Sequence, residues 1–379
     1  MERSESVKSL ACFGGILVLA VVLVPGAPGQ NWDQVPLISH QTFQAVNPDG
    51  SSAYSGGFPV RLRGVLLNNH EDWLDPRPAY DPEYHPWQMG GQWEVFVQTA
   101  DPNDFGGTAC WMGQNYGNVP WHADPTFSYT DSEWLAELAR VNHDPNTGIL
   151  LRRGDLIEIR GRGGLPYAGK MNVNEQHSND PALDFELILL QQGYGLPTPA
   201  PVILSDLKDP NNAFIWDWTR QTGGERYQAT LIEVQDVHLV SSAGWGANAQ
   251  MTVTDSTGRT LPMRLGRNPA FQQVPAPNGE FDVVGILNQV SSSGIGGYYL
   301  LVLSPVDFTP PLPFYGDANC DGEITFADID YFLVALAGQA TWEQLYPDCP
   351  WLSADMNRDG EVTFADIDGF VAALGGQGL

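Results

Sequence analysis

The chain has 379 residues with 45 acidic and 18 basic side chains, a formal net charge of −27, which argues against any general electrostatic attraction to nucleic acid or an anionic membrane. Hydrophobic residues make up 42% and aromatics 11%, enough to bury cores in two or three domains and too many for a globally disordered chain. The 41 glycines and 29 prolines, set against 17% charged residues, favour many turns and few long helices, and so a mainly β body.

At the N-terminus, Arg3 and Lys8 precede the apolar run Ile16 to Val24, and Pro25 to Gly29 follow with the small residues Ala27 and Gly29. This is the pattern of a secretory signal peptide over residues 1–29, too short in its apolar part to span a bilayer. No later segment reads as a membrane span, so the expected location is secreted or cell-surface. Cleavage removes Cys12 and leaves Cys110, Cys320 and Cys349. Export permits a disulfide. Cys320 and Cys349 share a domain and are the expected pair, while Cys110, within Thr108-Ala109-Cys110-Trp111-Met112, reads as an inert thiol on a buried strand.

Residues 31–205 and 206–310 are both β-rich. In the first, strands are expected around Phe58–Leu67, Trp93–Val97, Ala109–Met112, Gly154–Gly161, Gly169–Glu175 and Leu183–Leu190. In the second they are expected at Gly224–Val234, Gln250–Asp255, Arg259–Leu265, Phe281–Leu287 and Tyr298–Leu303. The strand order resembles a tandem of OB-like Greek-key barrels, with an immunoglobulin-like pair as the alternative.

Two long insertions interrupt the first barrel. One, Asn68 to Gly90, holds His70, Glu71, Asp72, Trp73, Tyr80, Tyr84, His85 and Trp87. The other, Gly113 to Asn146, holds Tyr116, Trp121, His122, Asp124, Tyr129 and a helix from about Ser132 to Val141 capped by Asp131. Such rings among Asp, Asn and His could stack on sugars or bases, or simply pin the loops to the barrel. His70 and His85 with Glu71 or Asp72 could bind metal, and the paired acids Glu71 and Asp72 could act in glycoside hydrolysis. No His-Glu-x-x-His, Cys-x-x-Cys or Gly-x-Ser-x-Gly pattern accompanies them, so no catalytic residue is assigned.

After Thr309-Pro310-Pro311-Leu312-Pro313, which reads as a stiff linker, residues 311–379 carry twelve acidic residues and one base. Asp317-Ala-Asn319-Cys-Asp321-Gly322-Glu323-Ile-Thr325-Phe326-Ala327-Asp328 recurs 38 residues later as Asp355-Met-Asn357-Arg-Asp359-Gly360-Glu361-Val-Thr363-Phe364-Ala365-Asp366. Each copy puts side-chain oxygens at loop positions 1, 3, 5 and 12, Gly at 6, a main-chain carbonyl (Glu323, Glu361) at 7 and Thr at 9, where it acts through water. This is an EF-hand calcium loop with Asp for Glu at position 12. Calcium takes six to eight hard oxygens, and magnesium, with its stricter octahedral demand, suits the pattern less. One amphipathic face follows each loop, Ile329/Phe332/Leu333/Leu336 and Ile367/Phe370/Val371/Leu374. Between the repeats, Thr341-Trp342-Glu343-Gln344 looks like a capping box opening a short linking helix.

These residues resemble a type I dockerin over about 315–376, in the form found on exported proteins of planctomycete-type bacteria. The resemblance implies a small all-α, EF-hand-like domain holding two Ca2+ ions through Asp317, Asn319, Asp321, Glu323 and Asp328, and through Asp355, Asn357, Asp359, Glu361 and Asp366. It also implies docking to a cohesin-like or surface protein, although positions 10 and 11 are Phe-Ala instead of the small Ser/Thr recognition pair. The expected function is an exported, non-catalytic binding or attachment protein with a polysaccharide as the candidate ligand of the barrels. The alternative is an extracellular nucleic-acid-binding or hydrolase-accessory protein, which the 21 acidic and 9 basic residues of 31–205 disfavour.

Overall fold

The computed structural model describes residues 30–347 and 349–375; the expected signal peptide lies outside them. A β body precedes a small helical tail. After a single helical turn, α1 (His40–Phe43), the first sheet is built from β1 (Val60–Leu66), β2 (Gln92–Thr99), β3 (Gly107–Gly113), β4 (Leu156–Gly161), β5 (Gly164–Tyr167), β6 (Lys170–Val173) and β7 (Glu186–Gln191). Their order is β5-β6-β3-β2-β1-β4-β7, antiparallel except for the parallel pair β3–β6. Only Arg162 and Gly163 separate β4 from β5, so the chain bends there and returns the far edge of the sheet toward its start.

The second sheet comprises β8 (Ala200–Val202), β9 (Leu231–Leu239), β10 (Gln250–Thr254), β11 (Thr260–Leu265), β12 (Phe281–Gln289), β13 (Tyr298–Val302) and β14 (Phe308–Thr309), with the helical turns α3 (Leu204–Leu207) and α4 (Gly223–Arg226) before β9. Its order is β14-β12-β13-β11-β10-β9-β8, and β12 also pairs with β9, closing five strands into a barrel. A closed sheet is not the pair of separate packed sheets that an immunoglobulin-like domain requires. The chain leaves the first sheet at Gln191, and β8 pairs parallel with β9, so Ala200–Val202 belongs to the second sheet although the sequence groups it with 31–205. Gly224 to Tyr227 form a turn, and the strand expected from Gly224 starts only at Leu231.

Alternation is clear in β10 and β11. Met251, Val253, Leu261, Met263 and Leu265 face the core, while Gln250, Thr252, Pro262 and Arg264 face away. β2 breaks this rule because both of its faces are covered. Trp93, Val95 and Val97 enter the first core, whereas Phe96 joins Leu67 and Ala109 against Ala229, Leu231, Ile286, Tyr299, Leu301 and Leu303 of the second barrel. Burial of Phe96 alone is worth about 2–3 kcal/mol.

Two polar devices fix the body. The carboxylate of Glu158 on β4 accepts from Arg61 (2.8 and 3.0 Å), Arg63 (2.8 Å) and Arg160 (2.9 Å). At the barrel joint, Gly107 N–H donates to Gln228 O at 3.1 Å, and Leu231 N–H to Gln98 Oε1 at 2.9 Å. A Cβ at Gly107 would lie 2.0 Å from Ala229 O, so only glycine permits this approach.

The insertions are bound to each other. Thr130, not Asp131, caps α2 (Asp131–Val141) through a reciprocal pair with Glu133. Asp131 instead accepts Tyr80 N–H at 2.9 Å and Gln114 Nε2 at 2.7 Å, tying one insertion to the other.

In the tail, α5 (Ile329–Ala335), α6 (Gln339–Leu345) and α7 (Ile367–Leu374) surround Ala318, Phe332, Trp342, Ala354, Met356 and Phe370, with the Phe332 and Phe370 rings stacked 4.1 Å apart. α6 begins after Gly338 with no side-chain cap, and the expected cap Thr341 lies inside the helix. Leu333 and Val371, expected on the buried faces, are 58% and 59% exposed. Cys320 and Cys349 are disulfide-bonded with Cα atoms 5.7 Å apart, a closure worth about 3–4 kcal/mol in the chain-entropy account.

Two outcomes follow from the joint and the arginine cluster. Gly107→Ala must push Ala229 away and should cost about 2 kcal/mol or more in urea-unfolding stability. Burial would raise the Glu158 carboxyl, but its arginine hydrogen bonds outweigh this and hold it down at about 2. A depressed folded-state pKa stabilises above the unfolded value of about 4.3, and the contribution disappears as pH falls through the folded value. Glu158→Gln should therefore flatten the stability profile between about pH 4.5 and 2 and cost about 3 kcal/mol at pH 7, read from denaturation curves across that range.

Candidate functional site

The two acidic loops superimpose bond for bond. In the first, Asp317 Oδ1 accepts Asp321 N–H (3.1 Å) and its Oδ2 accepts Gly322 N–H (2.9 Å). Asn319 Oδ1 accepts Asp321 N–H (2.9 Å), and Asp321 Oδ1 accepts Glu323 N–H (2.9 Å). Asp328 reaches back from position 12 to accept Asn319 N–H (3.0 Å) and Thr325 N–H (2.7 Å). In the second loop, Asp355, Asn357, Asp359, Glu361, Thr363 and Asp366 repeat all six bonds at 2.7–3.2 Å.

Backbone shape repeats too. Position 6 is Gly322 at φ +92° and Gly360 at φ +89°, the left-handed region that a Cβ disfavours. Position 4 is also left-handed, as Cys320 and Arg358, and the disulfide anchors the first of these. Thr325 and Thr363 at position 9 accept Ala327 N–H (3.1 Å) and Ala365 N–H (3.2 Å) and cap the helical turn that follows.

Asp317, Asp328, Asp355 and Asp366 are buried. Burial pushes the Asp317 carboxyl up to about 6; the Gly322 and Asp321 N–H groups oppose this, and the charges of Asp328 and Asp321 add to it. Each loop thus gathers oxygen donors and negative charge with no basic side chain bonded to them among the described residues. An all-oxygen set of carboxylates, an amide and a main-chain carbonyl is the chemistry of a hard divalent cation.

Among the described residues, the one group of three His, Cys, Asp or Glu side chains whose ligating atoms all lie within 4.8 Å of one another is Glu137 of α2, Glu175 and Asp184; the acidic side chains of the two loops do not gather that closely. Their spacing could chelate a divalent ion. Arg140 is already there, paired with Glu137 and 3.6 Å from both Glu175 and Asp184, and Tyr116 and Tyr129 donate to Glu175 Oε2 at 3.1 and 2.9 Å. A guanidinium in that position competes with any cation.

The metal group considered for the first insertion does not assemble. His70 pairs with Glu71 at 2.8 Å and His85 with Asp81 at 2.5 Å, and among the described residues neither histidine joins a group of three ligating side chains. Cys110 is fully buried, and desolvation drives its thiol pKa well up, which makes it unreactive. Trp73, Trp87 and Trp121, from both insertions, meet along one cleft against the second barrel. Its partners Glu94, Lys170, Asn172, His177 and Tyr299 escaped the sequence reading because only the strand register brings them together. Tyr80, Tyr84, His122, Asp124 and Tyr129 do not line it.

No protein-family model matches this sequence, and no curated protein matches it. Among the described residues no helix is long and apolar enough to cross a membrane.

Removing a position-12 carboxylate strands two backbone donors. Asp328→Ala and Asp366→Ala should each cost about 2 kcal/mol or more. Hydrogen exchange should show lost protection at Asn319 and Thr325 in one variant, and at Asn357 and Thr363 in the other, with the barrels unchanged.

Proposed function

We propose that this is an exported attachment protein in which two OB-like barrels carry a dockerin-like module that binds two calcium ions and docks to a cohesin-like or surface protein. The observation that carries the reading is the bond-for-bond identity of the two loops. The same constellation forms with Cys320 at position 4 of one loop and Arg358 at position 4 of the other.

Asp317, Asn319, Asp321, the Glu323 carbonyl and Asp328 would hold one ion, and Asp355, Asn357, Asp359, the Glu361 carbonyl and Asp366 the other. Calcium would supply positive charge beside four buried aspartates. The protein's own part is to hold the carboxylates on the loop through backbone N–H groups, and to couple the loops through the shared Phe332–Phe370 stack.

Docking is supported by a duplicated apolar surface. Phe326 and Phe364, at position 10, are 77% and 81% exposed, and Leu333 and Val371 lie one helical face further along in each repeat. Rings this exposed stabilise nothing within the module; their natural occupant is an apolar patch on a protein partner. The strand pairings support the OB-like assignment: in the second sheet β11, third of the five barrel strands, pairs parallel with β13, the fifth, and β12 pairs back to β9, while in the first sheet β3 pairs parallel with β6 and β4 pairs back to β1. The reading places a signal peptide at 1–29, a first barrel from 31, a second from β8 and the module from 311.

Calcium titration of the full chain by calorimetry should give two ions per chain, one in Asp321→Ala and one in Asp359→Ala. Absence of calcium binding would refute the reading. A partner from the source organism's surface fraction should be retained with calcium, released by chelator, and lost in the Phe326→Ser/Phe364→Ser double variant, which should keep both ions.

A further inference from the structure

We infer that the cleft between the two barrels is a binding site for an uncharged glycan, with one pyranose ring held against Trp87 and Trp121. The inference does not rest on the calcium reading. The cleft has a volume of about 410 Å³ and is walled by both insertions, β2 and β3, the β5–β6 hairpin with the segment after it, and the second barrel.

Its mouth is aromatic. Trp87 and Trp121 meet edge to face, centroids 5.6 Å apart at 74°, and Tyr167 stands at the same opening. All three rings are more than half exposed, at 58%, 59% and 59%. The protein holds them there firmly: Trp87 N–H donates to Asn118 O at 2.8 Å, and the Trp121 ring packs on His177 at 5.4 Å. Flat, rigid, wet rings pack well against the C–H face of a pyranose, which is apolar on one side and ringed by hydroxyls.

The depth of the cleft suits those hydroxyls. Asn172 is 4% exposed, yet its Oδ1 has no hydrogen-bond partner, and His177 Nδ1 is likewise buried and unpartnered. Asn174 Oδ1 accepts Gln176 N–H at 2.7 Å, leaving its amide N–H groups to donate. Burial, with His122 nearby, lowers the His177 pKa to about 4, so the ring is neutral at physiological pH. Unpaired buried acceptors beside a donor are costly unless something completes them, and a hydroxyl both donates and accepts.

Two of the three charged side chains of the cleft are matched within the protein. Lys170 Nζ donates to Gln289 O at 3.0 Å and lies 3.8 Å from Glu94, whose other oxygen accepts Trp73 Nε1 at 3.1 Å. Arg264 lies over the Tyr299 ring at 4.3 Å. Among the described residues Arg264 has no carboxylate partner, but a chain with net charge −27 repels polyanions. A neutral sugar is the class that fits.

The test is calorimetry of the full chain against cellohexaose, xylohexaose, mannohexaose and laminarihexaose, with the oligonucleotide dT12 and hexagalacturonate as charged probes. At least one neutral hexasaccharide should bind. Trp87→Ala and Trp121→Ala should each weaken it roughly tenfold, while Trp218→Ala, an exposed tryptophan outside the cleft, should not. Binding should persist in chelator, which separates this site from the calcium module. The proposal is overturned if no neutral hexasaccharide binds, if dT12 or hexagalacturonate binds more tightly, or if both cleft variants bind as the native chain does.

Discussion

Phe96, Leu67 and Ala109 leave water only because Leu231, Ile286 and Leu301 of the second barrel cover them, and the rest of the body follows from that contact. It forces β2 to be apolar on both faces, and it requires glycine at 107, where the backbones nearly touch. It also draws in buried polar groups that no single barrel could satisfy: Lys170 finds its carbonyl on Gln289, and Gln98 its amide on Leu231. Neither sheet has a polar surface all round. The aromatic cleft is the open margin of the same contact, with Tyr299 shared between the two.

The tail obeys a different constraint. Its core is eight buried apolar residues, and four aspartates are buried beside them. Such a core gives little stability in a domain of this size, and the aspartates subtract from it by crowding negative charge. The disulfide offsets part of that deficit by tying the first loop to the approach to the second. The loops supply the remaining order locally, since each carboxylate spends its lone pairs on backbone N–H groups. The architecture is one whose electrostatic deficit a bound cation would reverse.

Local chemistry was legible in the sequence, and long-range register was not. The loops could be read because every oxygen lies within twelve residues of its partners and the pattern recurs, and the body's strands emerged from alternation at Met251–Val253 and Leu261–Leu265. Thr130 was passed over as the α2 cap because Asp131 is an equally good capping residue, and only the structure shows Asp131 occupied by Tyr80 and Gln114. Leu333 and Val371 fit an amphipathic face by spacing, yet a helix of seven or eight residues buries a narrower stripe around Phe332 or Phe370. The cleft was half visible, as an excess of tryptophan in two insertions. Its other half, Lys170, Asn172, His177 and Tyr299, reaches it through the parallel β3–β6 pairing and the barrel joint, which leave no periodic trace.

The segment between body and tail, expected to be a stiff linker, is partly absorbed into the barrel. Phe308 and Thr309 pair with Val283 and Asp282 as β14, and Leu312 packs on the second core. Only Pro313, Phe314 and Tyr315 then lie between that anchor and Gly316, whose N–H already donates to Ser353 O. Three residues reach about 10 Å at full extension. A tether that short gives the tail almost no search volume of its own. Whatever the tail holds therefore stays within a short reach of the body.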